Sequence, residues 1–159
     1  MTAIDTRPYE SHVRHQRGTS GINVGRIITG GLLAGLVYTI LDFFTNGVVL
    51  GAENTANATR LGLGAVAFGP AVIASLVVAD FLSGILVVFV YASIQPRFGR
   101  GPKTAAIAGL LIYLNVLFVM FVLSQSGIST MRLFWETAIL QLITVLAGAI
   151  AGARVYQDA

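Results

Sequence analysis

The sequence predicts an all-α membrane protein, a bundle of four transmembrane helices. Hydrophobic residues make up 55% of the 159 residues and charged residues only 11%, whereas soluble domains usually carry about 25% charged residues. Crossing the hydrocarbon core of a bilayer takes about 20 apolar residues, but buried helices of soluble proteins show apolar runs of about 10–14. The runs here are longer, and Thr104–Met131 contains no charge at all. A soluble fold is therefore disfavoured.

We expect the spans at residues 26–50, 69–94, 104–124 and 133–156, forming a single domain after a polar, basic tail at residues 1–25. Helix is the element that satisfies its own backbone hydrogen bonds in lipid. Prolines mark several boundaries: Pro70 and Pro102 suit the first turn of a helix, and Pro96 is expected to end the second span.

The distribution of basic residues predicts the orientation of these spans. Eight of the ten arginines and lysines lie in the tail or at the first residue of span one, in the loop between spans two and three, or at the end of span four, and only Arg60 and Arg132 lie in the other two loops. The positive-inside rule then places both termini in the cytoplasm. Since the positive charges follow the membrane topology, they give no reason to expect a nucleic-acid partner.

An internal duplication would make the chain two tandem helix hairpins. Spans one and three share a Gly-Leu-Leu stretch, at Gly31 and Gly109, and spans two and four each end in small residues followed by a tyrosine, Tyr91 and Tyr156. Two helices per unit would relate the repeats by an axis along the membrane normal.

Two acidic residues inside the predicted spans are the sharpest candidates for function, because an intramembrane charge needs a partner. Asp42 lies sixteen residues from Arg26, and Asp80 lies seventeen from Arg97, which places each about 24–26 Å from its basic anchor at 1.5 Å per residue. Two acids at matching depth on neighbouring helices would meet, and would share a proton or hold a cation.

Other polar residues fall near the same depth. Tyr38 is one turn from Asp42 and able to hydrogen-bond it, and Asn115 and Gln141 lie on the third and fourth spans. We therefore expect a polar layer inside the bundle, formed by Asp42, Asp80, Tyr38, Asn115 and Gln141. A purely structural role, as hydrogen bonds between helices, is the alternative for each of these residues.

Small residues recur at helical spacing and predict close helix packing. The candidates for this packing are Gly31, Gly35, Gly84, Gly148 and Gly152.

Several classes of chemistry find no support in the sequence. The chain has no cysteine, which excludes disulfides and thiolate metal sites, and its two histidines lie outside the spans. It carries no zinc-protease, phosphate-loop or nucleophile-elbow motif. We therefore expect no metal and no cofactor, and we lean against an enzyme.

The stretch Tyr91–Ala105 (YASIQPRFGRGPKTA), preceded by a glycine-rich first span, carries a resemblance. It resembles uncharacterised small bacterial four-helix integral membrane proteins with a cytoplasmic hairpin of the type YAxIxPRFGxGPxTA. The resemblance covers most of residues 24–156. It implies a bacterial inner membrane and carries no activity with it.

Two functional hypotheses follow, and the sequence favours the first. In the first, the bundle acts by helix association, as an accessory subunit of a membrane complex or as a homo-oligomer; the stripes of small residues motivate it. In the second, Asp42 and Asp80 serve a carrier or channel for protons or cations. The expected partners are the lipid bilayer and either other membrane subunits or further copies of the chain.

Overall fold

The computed structural model describes residues 22–156; most of the predicted tail lies outside this range. In chain order, the elements are α1 (Val24–Phe43), a π-helical segment (Phe44–Val49), α2 (Gly51–Arg60), a 3₁₀ turn (Gly64–Phe68), α3 (Pro70–Phe98), α4 (Pro102–Gln125) and α5 (Met131–Val155). No strand occurs among the described residues.

Four stretches are long and apolar enough to cross a membrane: Val24–Val49, Gly64–Phe98, Pro102–Gln125 and Met131–Val155. This confirms the predicted fold class, and the protein is a multi-pass membrane protein. The residues between the first two spans contain more structure than a connecting loop, because α2 lies there.

Local sequence signals account for most helix boundaries. The side chain of Asn23 caps α1 and that of Thr130 caps α5, while Pro70 and Pro102 occupy the first turns of α3 and α4. The expectation that Pro96 ends the second span is wrong, since α3 continues to Phe98. A proline this close to a helix end removes one backbone hydrogen bond and leaves later amides free to bond. The helix ends at Gly99, where φ is 79°.

The four long helices surround a core of small side chains. Helix α1 packs most extensively against α3 and α5, and α4 packs against α5 and less closely against α3. Helices α1 and α4 therefore lie diagonally across the bundle. Core residues include Ala34, Val88, Ala105 and Ala108, all fully buried.

Hydrogen bonds tie the loops together at the end of the bundle that carries α2, here called the α2 end. Arg60 donates to the carbonyl of Gly127 at 2.9 Å, and the Asn57 amide donates to the carbonyl of Ile128 at 3.0 Å. Arg132 also lies 3.6 Å from Glu53 of α2. Helix α2 is thereby held against the turn between α4 and α5.

The opposite end, here called the termini end, carries the short connection between α3 and α4. The Thr104 hydroxyl donates to the carbonyl of Gly99 at 2.7 Å. The rings of Tyr91 and Tyr156 meet edge to face with centroids 6.0 Å apart. Both tyrosines are buried, so they join helices α3 and α5 within the bundle.

Candidate intramembrane site

Glycines bring α1 and α3 into backbone contact. Gly31 faces Ile85 and Gly35 faces Phe81, and a Cβ atom at Gly35 would lie only 2.7 Å from the Cα of Phe81. A Cβ atom at Gly84 would meet the backbone of both Gly31 and Gly35. No larger residue fits at these positions unless the two helices move apart.

Glycines also set the contact between α1 and α5. A Cβ atom at Gly30 would lie 2.7 Å from the carbonyl oxygen of Gly152. One turn nearer the α2 end, Gly148 faces the ring of Tyr38. Helix α1 therefore lies in close contact with two neighbours along its first half, and this contact determines which of its residues face the interior.

These contacts bring the two acids together. The pairing of Gly35 with Phe81 places Asp80 about 9 Å nearer the termini end than Asp42, at 1.5 Å per residue. The similar distances from the basic anchors predict that the two acids lie at the same depth. The structure shows that they do not. Side chains tilt toward the N-terminus of their own helix, and α1 and α3 are antiparallel. The two carboxyls consequently reach toward each other, close enough to interact.

Polar groups from α1 and α5 surround the pair. Gln141 and Thr144 of α5 interact with the Asp42 carboxyl, and Thr39 of α1 interacts with that of Asp80. Among residues 22–156, no basic side chain acts on either carboxyl. In the same range, one carboxyl oxygen of Asp42, Oδ1, is buried without a hydrogen-bond partner. The site thus has unused capacity for hydrogen bonds or ligands.

Tyr38 is buried beside the acids but directs its hydroxyl elsewhere. It donates to the backbone carbonyl of Val145 at 3.4 Å, rather than to Asp42. Its phenol oxygen nevertheless lies in the field of both Asp42 and Asp80. Tyr38 therefore forms one wall of the site and joins α1 to α5.

Of the five residues predicted to form a polar layer, the structure brings together Asp42, Asp80, Tyr38 and Gln141. It leaves out Asn115, which is exposed on α4; α4 lies diagonally opposite α1. Thr39 and Thr144 belong to the site as well. Thr144 follows Gln141 by one turn on α5, and Thr39 precedes Asp42 by three residues. Helical spacing from a predicted site residue is therefore the sequence signal that identifies both threonines.

The chemistry of the site follows from its oxygen-rich lining. Carboxyl, hydroxyl and amide oxygens bind protons and hard cations, whereas transition metals favour imidazole or thiolate ligands. No group of three or more His, Cys, Asp or Glu residues with metal-binding geometry occurs in the described part of the chain.

Comparisons of the chain with protein-family models, with curated proteins and with solved structures find no match. The interpretation of the site therefore depends on its own geometry and chemistry.

Proposed function

We propose that the protein binds and exchanges a proton or a monovalent cation at the Asp42–Asp80 pair, as a small carrier or channel. One observation supports this above all: two carboxyls from different helices interact inside the membrane domain, and no basic side chain of residues 22–156 is among their partners. Of the two functional hypotheses, this is the one that the geometry favours.

The physical argument rests on desolvation. Two carboxylates away from water repel each other, and each loses hydration that protein groups do not fully replace. A proton shared between them, or a bound cation, removes the repulsion and supplies a partner for the buried Oδ1 of Asp42. Since one additional positive charge suffices, a proton or a monovalent cation fits better than a highly charged metal.

Exchange with the aqueous phase is proposed to occur at the α2 end. The π-helical segment begins two residues after Asp42, and single π-helical turns within helices are frequent at functional sites. A groove beside it is lined by Asn46, Gly47, Gly51, Thr55 and Phe68, among others. We propose that its polar groups give water a route toward the acids.

We further propose that the membrane is a bacterial inner membrane, with both termini and the Gly99–Gly101 connection in the cytoplasm. The resemblance of Tyr91–Ala105 supports the bacterial inner membrane. The eight-to-two distribution of basic residues supports the cytoplasmic position of both termini and of this connection. The α2 end then faces the outside.

Association with other chains is the second candidate function. The stripes of small residues do not support it. Gly31, Gly35, Gly84, Gly148 and Gly152 all face neighbouring helices of the same chain, so none of them remains for a partner. The observation that favours association is the exposed amide of Asn115 on α4.

Flux through reconstituted proteoliposomes tests the proposed ion exchange. Purified protein is reconstituted with an internal pH indicator, and a membrane potential is imposed with potassium and valinomycin; a parallel series measures radioactive sodium uptake. We expect flux from the parent chain and at least a tenfold reduction in Asp42→Asn plus Asp80→Asn. The two arms distinguish a proton from a sodium ion.

Glu53→Gln is the matched control, because it also removes one carboxylate but lies on α2 beside Arg132. We expect it to retain parental flux. Carbodiimide labelling with mass spectrometry provides a second measurement, since the reagent modifies protonated carboxyls in apolar surroundings. Equal flux in the parent and the double variant would contradict the proposal. So would a parent chain that shows neither flux nor labelling at either aspartate.

A further inference from the structure

Helix α4 carries a continuous exposed seam with heptad spacing. Its residues follow one another at intervals of four, three, four and three: Leu111, Asn115, Phe118, Val122 and Gln125. All five are exposed, Phe118 at 68% of its surface. Alternating spacing of three and four residues is the pattern with which two helices pack side by side in a left-handed pair.

Asn115 is the exceptional member of this seam. It lies within two residues of the middle of α4, where the bilayer is driest. Its side chain forms no hydrogen bond with any residue in the described range 22–156. An amide facing acyl chains loses the hydrogen bonds that water would supply, so this position is unfavourable unless another polar group covers it.

The described residues 22–156 offer no such group. The opposite face of α4 is already used, because Gly109 packs against Ala149 of α5 and the Tyr113 hydroxyl donates to the carbonyl of Ala138 at 3.0 Å. Helix α1, which carries Asp42 and Thr39, lies diagonally across from α4. A partner for the amide must therefore come from outside the described bundle.

We propose that the α4 seam is a homodimer interface in which Asn115 pairs with Asn115 of a second copy. Copies of one chain insert into a membrane with the same orientation, so a two-fold axis along the membrane normal brings identical residues together at identical depth. An asparagine amide has both a donor and an acceptor, which makes it complementary to itself. Gln125 is the last residue of α4, so Asn115 is the polar residue within the apolar part of the seam. A polar residue in that position specifies register and partner number in helix pairs.

This interface does not depend on the proposed ion exchange, since the acid pair lies on α1 and α3 and the seam lies on α4. A dimer would also double the number of helices while leaving both acid pairs in place. A failure of one proposal therefore leaves the other intact.

The first test measures dimerisation in lipid. Labelled protein is reconstituted over a range of protein-to-lipid ratios, and the fraction of dimers is counted by single-molecule photobleaching. We expect the parent to dimerise and Asn115→Leu to raise the dissociation constant between about threefold and thirtyfold, the effect of one interhelical hydrogen-bonded pair in membranes. Because Asn115 is exposed, this substitution leaves the folded bundle undisturbed.

The second test uses the absence of cysteine from the chain. Val122→Cys should form a symmetric disulfide-linked dimer in native membranes under mild oxidation. Phe43→Cys is the control, because this residue is 72% exposed on α1, away from the seam. The second-copy interface would be overturned by a parent chain that stays monomeric at every ratio, or by an unchanged dissociation constant in Asn115→Leu. Cross-linking at residue 43 instead of 122, or of residue 122 to a different protein, would overturn it as well.

Discussion

The ring of Tyr38 lies directly on Gly148, and its hydroxyl donates a hydrogen bond to the carbonyl of Val145 at 3.4 Å. This single contact joins α1 to α5 one turn from Asp42. It allows Gln141 and Thr144 of α5 to reach the acid pair. The absence of a side chain at Gly148 is therefore a structural requirement of the site.

Gly148→Ala tests that requirement. The added methyl group would overlap the Tyr38 ring, and overpacking of this kind typically costs about 1–3 kcal/mol. We expect the free energy of unfolding, measured by detergent titration, to fall by that amount. Gly47→Ala is the matched control, because nothing lies within 4 Å of its Cβ position. Equal stability of the two variants would mean that α1 and α5 are not in this contact.

Gly84→Ala should be at least as destabilising. Its methyl group would meet the backbone of Gly31 and Gly35, and a backbone, unlike a ring, has no alternative rotamer. We expect a loss at or above the upper end of about 1–3 kcal/mol in the same titration. Gly109→Ala serves as the comparison, because the nearest atom to its added methyl group is the Cβ of Ala149 at 3.1 Å. If Gly84→Ala lost less stability than Gly109→Ala, the close packing of α1 on α3 would be contradicted.

Tyr38→Phe separates the two properties of this tyrosine. The ring stays on Gly148 and only the hydrogen bond to Val145 is lost, so stability should fall by about 1 kcal/mol or less. Ion flux should stay near the parental value, because the hydroxyl is not directed to Asp42. A tenfold loss of flux at preserved stability would instead place the phenol on the ion path.

Arg60→Met probes the contacts that tie α2 to the turn before α5. The substitution removes the hydrogen bond to the carbonyl of Gly127 at 2.9 Å, and an exposed bond of this kind contributes about 0.5–1.5 kcal/mol. We expect faster hydrogen–deuterium exchange in residues 126–130, and no change there in Lys103→Met at the opposite end. Unchanged exchange in both variants would show that Arg60 does not hold the turn.

The proposed orientation predicts thiol accessibility. Ser126→Cys at the α2 end should react with a membrane-impermeant maleimide in intact spheroplasts. Phe98→Cys, exposed at the termini end, should react only after the membrane is opened. Neither substitution changes the charge that directs insertion. The reverse pattern of labelling would invert the topology.

The sequence predicted much of the fold and part of the site. The four spans follow from hydropathy. The meeting of Asp42 with Asp80 depends on the rotation of α1 against α3, which hydropathy does not encode. Apolar residues occur on every side of a lipid-embedded helix, so the inward face has little contrast with the outward one. Asn115 illustrates this: its depth was predictable, but its outward direction was not.

By itself, the sequence determined that lipid surrounds four segments of this chain, because the transfer of a segment into lipid depends on the sum of its residues' own properties. The tertiary structure alone decided which polar groups meet. Glycines distant in sequence set the distances and rotations of α1, α3 and α5, and shape complementarity of this kind arises only between helices that are already packed together.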